Sequence, residues 1–489
     1  MARNFPRLVI AGLSGDAGKT VTSLSLLTAL KRRGRSLTVF KKGPDYIDAA
    51  WLAWAAGTVC RNLDTYMVPV ETVRASFTRA AEGGELAVIE GNRGLFDGKD
   101  IAGTHSTAAL AALLGCPIIL VVNGAKATRT VAALVKGCQV FDPNINIAGV
   151  VLNRVSGKRH RRVISDAIER ECGVPVVGCI PRLDDSATLI PGRHLGLITP
   201  SEFGEDSRLS EELNRIGEEY LDLDAILEIA AASPSLDAAV PAKERTAERT
   251  VRIGYFNDSV FTFYYPENLE ALSDQGAELV PISSLEAKKL PEIDGLYIGG
   301  GFPETHAEQL SGNRALCDAV KQAAEDGLPI YAECGGLIFL CRSLSYREHR
   351  YPMAGLFDCD LRMQKKPVGH GYVEVEVDGD NPFFESGALL RGHEFHYSGP
   401  ADALAEHLGC MSVRTGIGLG NGRDGLLFKN CLAAYTHLHA AGLPGWAGAF
   451  VRAAYRHRTS ERPSKMKRQR TPEVQGRPAV AAASGLGRG

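Results

Sequence analysis

The sequence predicts an α/β fold built from two parallel-sheet units, on three observations. Short β-branched runs alternate with helical stretches through the first two hundred residues. A glycine-rich turn joins the first of these runs to the first helical stretch. After a polar, proline-containing segment, a second alternation begins at Val251. Buried apolar strands separated by helices imply a doubly wound domain with helices on both faces of its sheet. The 489 residues suffice for about two to four domains at roughly 150 residues each.

Taken in order, residues 8–11, 37–40, 86–89, 118–122 and 148–152 read as buried parallel strands, with helices over 21–33 and Thr107–Leu114 among the connections. Residues 174–180 form a further strand, followed by a loop and helices to about 230. The stretch AASPSLDAAVPAKERTAERT has no apolar periodicity and reads as a linker over 231–250. Beyond it, 251–255, 296–298 and 330–332 are expected as parallel strands, and Gly369–Val377 opens a more antiparallel part. From Arg456 the chain is rich in Arg, Lys, Ser, Pro and Gly and is expected to be disordered. The expected organisation is therefore 1–230, a linker over 231–250, 251–455, and a basic tail over 456–489.

Composition narrows the function. Hydrophobic residues make up 45% and charged residues 23%, ordinary for a soluble globular protein. The net charge of −2 gives no reason to expect a polyanionic partner. It hides an asymmetry: nine Lys/Arg and two Asp/Glu lie from Arg456 onward, about +7, which leaves the body near −9. A solvated tail is the expectation, with neither nucleic acid nor membrane as partner. The eleven cysteines are scattered and include no CxxC pair, which argues against a disulfide framework or structural zinc and for a reducing cytoplasm. The apolar stretch at 8–13 is too short for a secretory signal, and no run approaches membrane-spanning length.

LVIAGLSGDAGKT, residues 8–20, sets a strand, a glycine-rich turn and Lys19-Thr20 in sequence. Such a turn lets backbone N–H groups wrap a phosphate, the helix N-terminus adds positive potential, and the lysine neutralises β/γ oxygens. The strict GxxxxGK[ST] spacing fails because Leu13 stands at the first glycine position, with Gly12 one residue earlier. Gly12, Gly15, Asp16, Ala17, Gly18, Lys19 and Thr20 are the expected nucleotide-binding residues, with Thr20 also placed to hold Mg²⁺. Two acidic stretches follow strands: FKKGPDYIDAAW with Lys41, Asp45 and Asp48, and VIEGNRGLFDG with Glu90 and Asp97. Carboxylates at strand C-termini face the ligand crevice of an open α/β sheet. Asp48 and Glu90 are therefore expected beside Thr20 as Mg²⁺ ligands. Asn153, at the end of another strand, is a candidate to read the nucleotide base.

In the second unit, residues 330–332 run into Glu333-Cys334-Gly335-Gly336 and a helix. This sharp elbow exposes a thiol, and the helix N-terminus is expected to favour thiolate. The segment Ala434-Tyr435-Thr436-His437-Leu438-His439 offers a base, and both histidines fall on one side if it is extended. GGGFPE, residues 299–304, is placed to supply backbone donors to an oxyanion. Cys334 and His437 together suggest thioester chemistry on an amide.

These motifs, with RNLD at 61–64, LNRV at 152–155, RHLGL at 193–197, FYYPENL at 263–269, AECGGL at 332–337 and GHEFHYS at 392–398, resemble the cobyrinate a,c-diamide synthase family over about residues 8–450. The resemblance implies an N-terminal P-loop synthetase domain of dethiobiotin-synthetase type and a C-terminal class I-like glutamine amidotransferase domain. It implies Cys334 as glutaminase nucleophile and His437 as base. His439 stands where typical class I enzymes carry the triad glutamate, an acid this family lacks, which leaves open what orients His437. The implied reaction phosphorylates peripheral carboxylates with ATP-Mg²⁺ and aminates the acyl phosphates with glutamine-derived ammonia. Lys41, Asp45, Tyr46 and Asp97 are implied on the substrate side, with His393, His396 and Tyr397 closing over the macrocycle. The partners implied are cobyrinic acid or a related tetrapyrrole, ATP and L-glutamine, with a homodimer left open.

Lys42, Asn92-Arg93, VVNGAKATRT and MQKKPVGHGY differ from the usual corrinoid-enzyme pattern, so sirohydrochlorin or its metal form stands as a second candidate substrate. Cobyric acid synthase is a sister possibility, which the GPDYID and GHEFHYS pair disfavours. A nucleotide-dependent switch with a degenerate amidotransferase domain is the alternative of another class. An intact Cys334 and His437 argue against it.

Overall fold

The protein is represented by a computed structural model that describes residues 2–183, 192–193, 196–204, 207–237, 250–402 and 409–468. The first unit is a seven-stranded, wholly parallel sheet. Its strands are β1 (Arg7–Gly12), β2 (Leu37–Lys42), β3 (Cys60–Leu63), β4 (Leu86–Glu90), β5 (Pro117–Asn123), β6 (Asn146–Val155) and β7 (Val176–Pro181), in spatial order β3-β2-β4-β1-β5-β6-β7. Every residue of β1 and β4 is buried, as continuous apolar runs covered by helices on both faces require. The connection from β1 runs one way, to β2, and that from β4 runs the other way, across β1 to β5, so the switch point lies at the adjacent C-terminal ends of β1 and β4. Helix α1 (Lys19–Arg32) starts there, and α2 (Tyr46–Ala56) starts beyond the neighbouring end of β2.

The second unit is a six-stranded sheet formed by β8 (Val251–Phe256), β9 (Ala277–Ile282), β10 (Gly295–Ile298), β11 (Ile330–Glu333), β14 (Leu426–Phe428) and β15 (Cys431–Ala434). Its order is β9-β8-β10-β11-β15-β14, parallel except for the last pair. As expected, β12 (Gly369–Val377) is antiparallel, pairing with β13 (Leu389–His396) in a separate four-stranded sheet. The two units are in direct contact. Tyr265 donates to Pro44 O at 3.0 Å, Tyr372 to Asp64 Oδ2 at 2.7 Å, and Arg61 meets Glu270 at 2.7 Å.

Two expectations need correction. The expected disorder from Arg456 does not begin there, because the helix Trp446–Arg468 runs on to 468. The turn just past Arg456 is tied to the second unit, where the Arg458 guanidinium donates to Thr250 O. Residues 469–489 lie outside the described residues. The start of the expected linker is likewise fixed in place, since Leu236–Asp237 pairs with Ala2–Arg3 and Ser233 donates to Arg7 O at 2.8 Å. Residues 238–249 of the linker, and His194 and Leu195 of the RHLGL motif, lie outside the described residues. Among the described residues, no helix is long and apolar enough to cross a membrane.

Candidate active site

The phosphate loop leaves β1 and enters α1 through Gly18, whose φ of 99° favours glycine. A Cβ there would also stand 2.0 Å from Asn153 Nδ2. Lys19 is buried and folds over the loop, donating to Ser14 O at 2.9 Å and Arg93 O at 2.7 Å. Its ammonium is thereby held at the mouth that a phosphate would occupy. Burial, then Lys41, lowers the Lys19 pKa. The loop residues Gly12, Gly15, Asp16, Ala17 and Gly18 are contiguous with Thr20 at this one turn. Asn153 is differently engaged from the expectation. Its Nδ2 donates to Ala17 O at 3.0 Å and its Oδ1 accepts from Arg154 N at 2.9 Å, so the side chain braces the loop.

Thr20, Lys41, Asp48 and Glu90 converge beside the loop. Lys41 Nζ donates to Asp48 Oδ2 at 2.6 Å and Glu90 Oε1 at 2.7 Å, and Thr20 Oγ1 donates to the same Glu90 oxygen at 3.3 Å. Lys41 was expected to reach substrate, but it is fully enclosed between these two acids. Burial opposes its charge, yet Asp48, Glu90 and Asp45 more than offset that and raise its pKa. Glu90 is fully buried, and its Oε2 has no hydrogen-bond partner. An orphaned buried carboxylate oxygen next to a threonine hydroxyl suits a hard divalent cation that also takes phosphate oxygens. Among the described residues, no group of three or more His, Cys, Asp or Glu forms a metal cage, so such a cation depends on Thr20 and the nucleotide as well.

A chamber of about 460 Å³ lies between the two units. Asp45, Tyr46 and Asp97 line it from the first unit, and His393 and His437 line it from the second. Asp45 caps α2 by accepting from Asp48 N at 2.9 Å, and burial, with Asp48 adding, pushes its carboxyl up to about 6. Asp97 Oδ2 accepts from Gly94 N at 2.8 Å. The Tyr46 ring is packed against Phe263 at 5.0 Å, Tyr265 at 4.4 Å and His437 at 5.3 Å. His393 stacks on His437 at 4.9 Å, and burial, then His437, holds its pKa well down. His396 and Tyr397 do not join the wall. The His396 ring instead stacks on Tyr435 at 3.7 Å, with Nδ1 2.7 Å from Ser398 O, and so serves packing. Sequence reasoning missed the cations of the wall, Lys42, Arg93 and Lys99. The signal available was a second lysine at the C-terminal end of β2, where the crevice opens.

Cys334 joins β11 to a short helix, Gly335–Leu340, with φ 46° and ψ −94°, a strained elbow for a residue with a Cβ. A Cβ on Gly336 would stand 2.4 Å from Ile298 O, so glycine permits the helix to pack on β10. The expectation of a thiolate is corrected. Burial, with Glu304 and Glu333 adding, pushes the Cys334 thiol upward, against the pull of the helix N-terminus. Strand β15 runs parallel beside β11, with Ala434 opposite Glu333, and carries the chain on to His437. His437 is fixed by paired backbone bonds with His393 at 2.8 and 3.1 Å. A Cβ on Gly300 would stand 2.5 Å from His437 Cε1, so the loop after β10 packs directly against the imidazole. The Glu333 carboxylate, which sequence reasoning also missed, reaches within 3.5 Å of His437 Nδ1. His439 turns to other partners: its ring lies 4.6 Å from Tyr265, and its Nε2 is 3.7 Å from Glu267 Oε2.

Comparison with known proteins agrees with this two-part geometry. Residues 8–194 match the CobQ/CobB/MinD/ParA nucleotide binding domain, and residues 252–444 match the CobB/CobQ-like glutamine amidotransferase domain. A cobyrinate a,c-diamide synthase of Magnetococcus marinus is 41% identical over 470 residues, 94% of this chain and 99% of the relative. One of Archaeoglobus fulgidus is 38% identical over 453 residues, 92% of this chain and 98% of the relative. One of Methanothermobacter thermautotrophicus is 37% identical, with 92% and 99% covered. The chain belongs to the cobyrinate a,c-diamide synthase family of glutamine-dependent amide ligases.

Proposed function

We propose that this chain converts the a and c acetate carboxylates of cobyrinic acid to amides, with ATP as phosphoryl donor and glutamine as nitrogen donor. One observation carries the reading: a single chamber is walled by acids and cations of the first unit and by His393 and His437 of the second. Lys42, Arg93 and Lys99 on that wall suit a substrate bearing several carboxylates. Residues 1–237 supply the synthetase part and 251–455 the amidotransferase part.

At the second site, Cys334 Sγ bonds to the glutamine carboxamide carbon while His437 takes the thiol proton. The proton passes to the departing nitrogen, the C–N bond breaks, and ammonia leaves a glutamyl thioester that water hydrolyses to glutamate. At the first site, a carboxylate oxygen of the tetrapyrrole attacks the γ-phosphorus and ADP departs. Lys19 stabilises the charge that develops on the phosphoryl oxygens. Ammonia then forms the C–N bond at the acyl phosphate, losing a proton as phosphate leaves. Thr20, Glu90 and Asp48 would hold Mg²⁺, which when bound neutralises phosphate charge. Lys41 holds the two carboxylates in place for that role.

The test is amidation followed by mass, with cobyrinic acid, sirohydrochlorin and nickel-sirohydrochlorin offered separately. Two conversions on cobyrinic acid are the expected outcome, and a preference for either sirohydrochlorin would reassign the substrate. Cys334→Ser should abolish glutamine-driven amidation and spare ammonia-driven amidation. No amidation of any of the three tetrapyrroles by the parent protein would leave the nucleotide-switch reading, whereas full glutamine-driven amidation in Cys334→Ser would remove Cys334 as the nucleophile.

A further inference from the structure

The His437 imidazole lacks the usual acid two residues downstream, since His439 occupies that place and faces Glu267. Its Nδ1 is buried and has no hydrogen-bond partner in the resting state. Glu333 Oε2 lies 3.5 Å away, in the residue immediately before the thiol. We propose that Glu333 is the positioning residue of the glutaminase site, orienting His437 through Nδ1 as a triad acid would. This rests on the nucleophile and base roles proposed above for Cys334 and His437.

Three donors fix the Glu333 carboxylate. Tyr297 OH donates to Oε2 at 3.1 Å, Tyr331 OH to Oε1 at 3.0 Å and Leu438 N to Oε1 at 3.2 Å. Those bonds offset the cost of burying it and leave Oε2 aimed at the ring. The backbone that follows His437 is tied into the same network. Asn268 Nδ2 donates to Leu438 O at 2.9 Å and to Tyr297 OH at 3.2 Å, and Asn268 Oδ1 accepts from Ala440 N at 2.7 Å. The strand register adds the rest, because Glu333 and Ala434 are parallel neighbours on β11 and β15. With Nδ1 turned to the carboxylate, Nε2 is the nitrogen left to take the thiol proton. At 3.5 Å the pair is longer than a formed hydrogen bond. Catalytic contacts are often long before substrate binds and shorten in the Michaelis complex.

Asp424 is a poor rival. Its carboxylate is already engaged by the backbone N–H groups of Gly425, Tyr435 and Thr436 and by the Thr436 hydroxyl. Glu394 is likewise engaged by the N–H groups of Ile417 and Gly418.

The experiment compares glutamine-driven with ammonia-driven amidation in the full-length enzyme, so that each variant carries its own control for folding. Glu333→Gln keeps the size and its oxygen can still accept from Tyr331, but with the amide nitrogen in the place of Oε2 it gives up the bond from Tyr297 and turns an N–H towards Nδ1. That would leave Nε2 protonated and unable to act as base. The ratio of glutamine-driven to ammonia-driven kcat should fall about 10²–10⁴-fold, with KM for glutamine held within about threefold. Glu333→Asp, which keeps the charge, should recover about tenfold or more of that loss. A ratio that stays within about threefold in Glu333→Gln, or falls equally in both variants, overturns the proposal, as does loss of both activities together. Cys334→Ala is run alongside. If it retains glutamine-driven turnover, the glutaminase assignment itself fails and the role of Glu333 falls with it. If it is dead while Glu333→Gln is fully active, only the role of Glu333 falls.

Discussion

His439 stands where a triad glutamate would, and its environment makes it a neutral imidazole with a consequence for stability. Burial holds its pKa down to about 4, from an ordinary 6.5. The unfolded chain therefore binds a proton below about 6.5 that the folded protein refuses, so this residue's contribution to stability is lost as pH falls from 6.5 to 4. Glu267, at 3.7 Å, works the other way. Burial pushes its carboxyl up to about 7 from 4.5, so the folded state takes up a proton first and gains stability as pH falls through that range. The two effects oppose each other in the parent protein. Replacing His439 by Gln removes the first alone. The stability advantage of the parent over His439→Gln should accordingly shrink by roughly 3 kcal/mol between pH 7 and pH 4. Urea midpoints of the two proteins at each pH read this directly, and a difference independent of pH would sink it. Legibility also divides at this scale. Lys19 and Cys334 stand out in the sequence because glycines crowd them at a strand end. Glu333 does not, because an acid closing a short strand reads as an ordinary polar residue. What distinguishes it is the pair of tyrosine hydroxyls and the imidazole, brought from distant parts of the chain.

Strands and helices with an apolar signature of their own were readable, and those whose burial comes from neighbours were not. β1 and β4 are continuous hydrophobic runs, and Thr107–Leu114 is bounded by Ser106 as cap and Gly115 in the left-handed region. β3 carries CRNL and β9 carries AELVPI, an edge strand with a proline and only two buried positions, so neither shows a strand period. β15 is only four small residues long, yet it positions the base because it pairs parallel to β11. The loop after β10 completes that arrangement. Gly300 lies so close to His437 that an added methyl group must displace the ring. The clash involves a side chain, so the expected penalty falls on positioning more than on folding. Gly300→Ala should lower glutamine-driven kcat by about 10²-fold, as a displacement near 1 Å does. The stability cost should stay within the roughly 1–3 kcal/mol usual for overpacking. Ammonia-driven amidation is the control. If it falls in parallel, the loop serves the fold and not the imidazole.

Across the whole molecule, one chamber is lined from both units, and the Tyr46 ring lies on its wall where they meet. Tyr46 begins α2 in the synthetase part, yet its neighbours Phe263, Tyr265, His393 and His437 all belong to the amidotransferase part. The same side chain lines the chamber with Asp45 and Asp97. The halves are held in register around it by the Arg61–Glu270 pair and by the Tyr372 and Tyr265 hydroxyls. On the proposed roles of Cys334 and Lys19, ammonia has to cross the contact between the two units where this ring is packed, and neutral ammonia crosses an aromatic contact without the desolvation cost that ammonium would incur. Tyr46→Leu keeps apolar bulk while removing the flat ring. The variant should still hydrolyse glutamine and still make some product, but glutamate released should exceed amide formed, with the surplus ammonia and phosphate appearing in solution. Measuring glutamate, phosphate and amide in the same reaction separates the cases. Glutamate in step with amide at a lower overall rate would make Tyr46 a packing residue only. Glutamate in excess would place the coupling of the two reactions at the contact between the two halves.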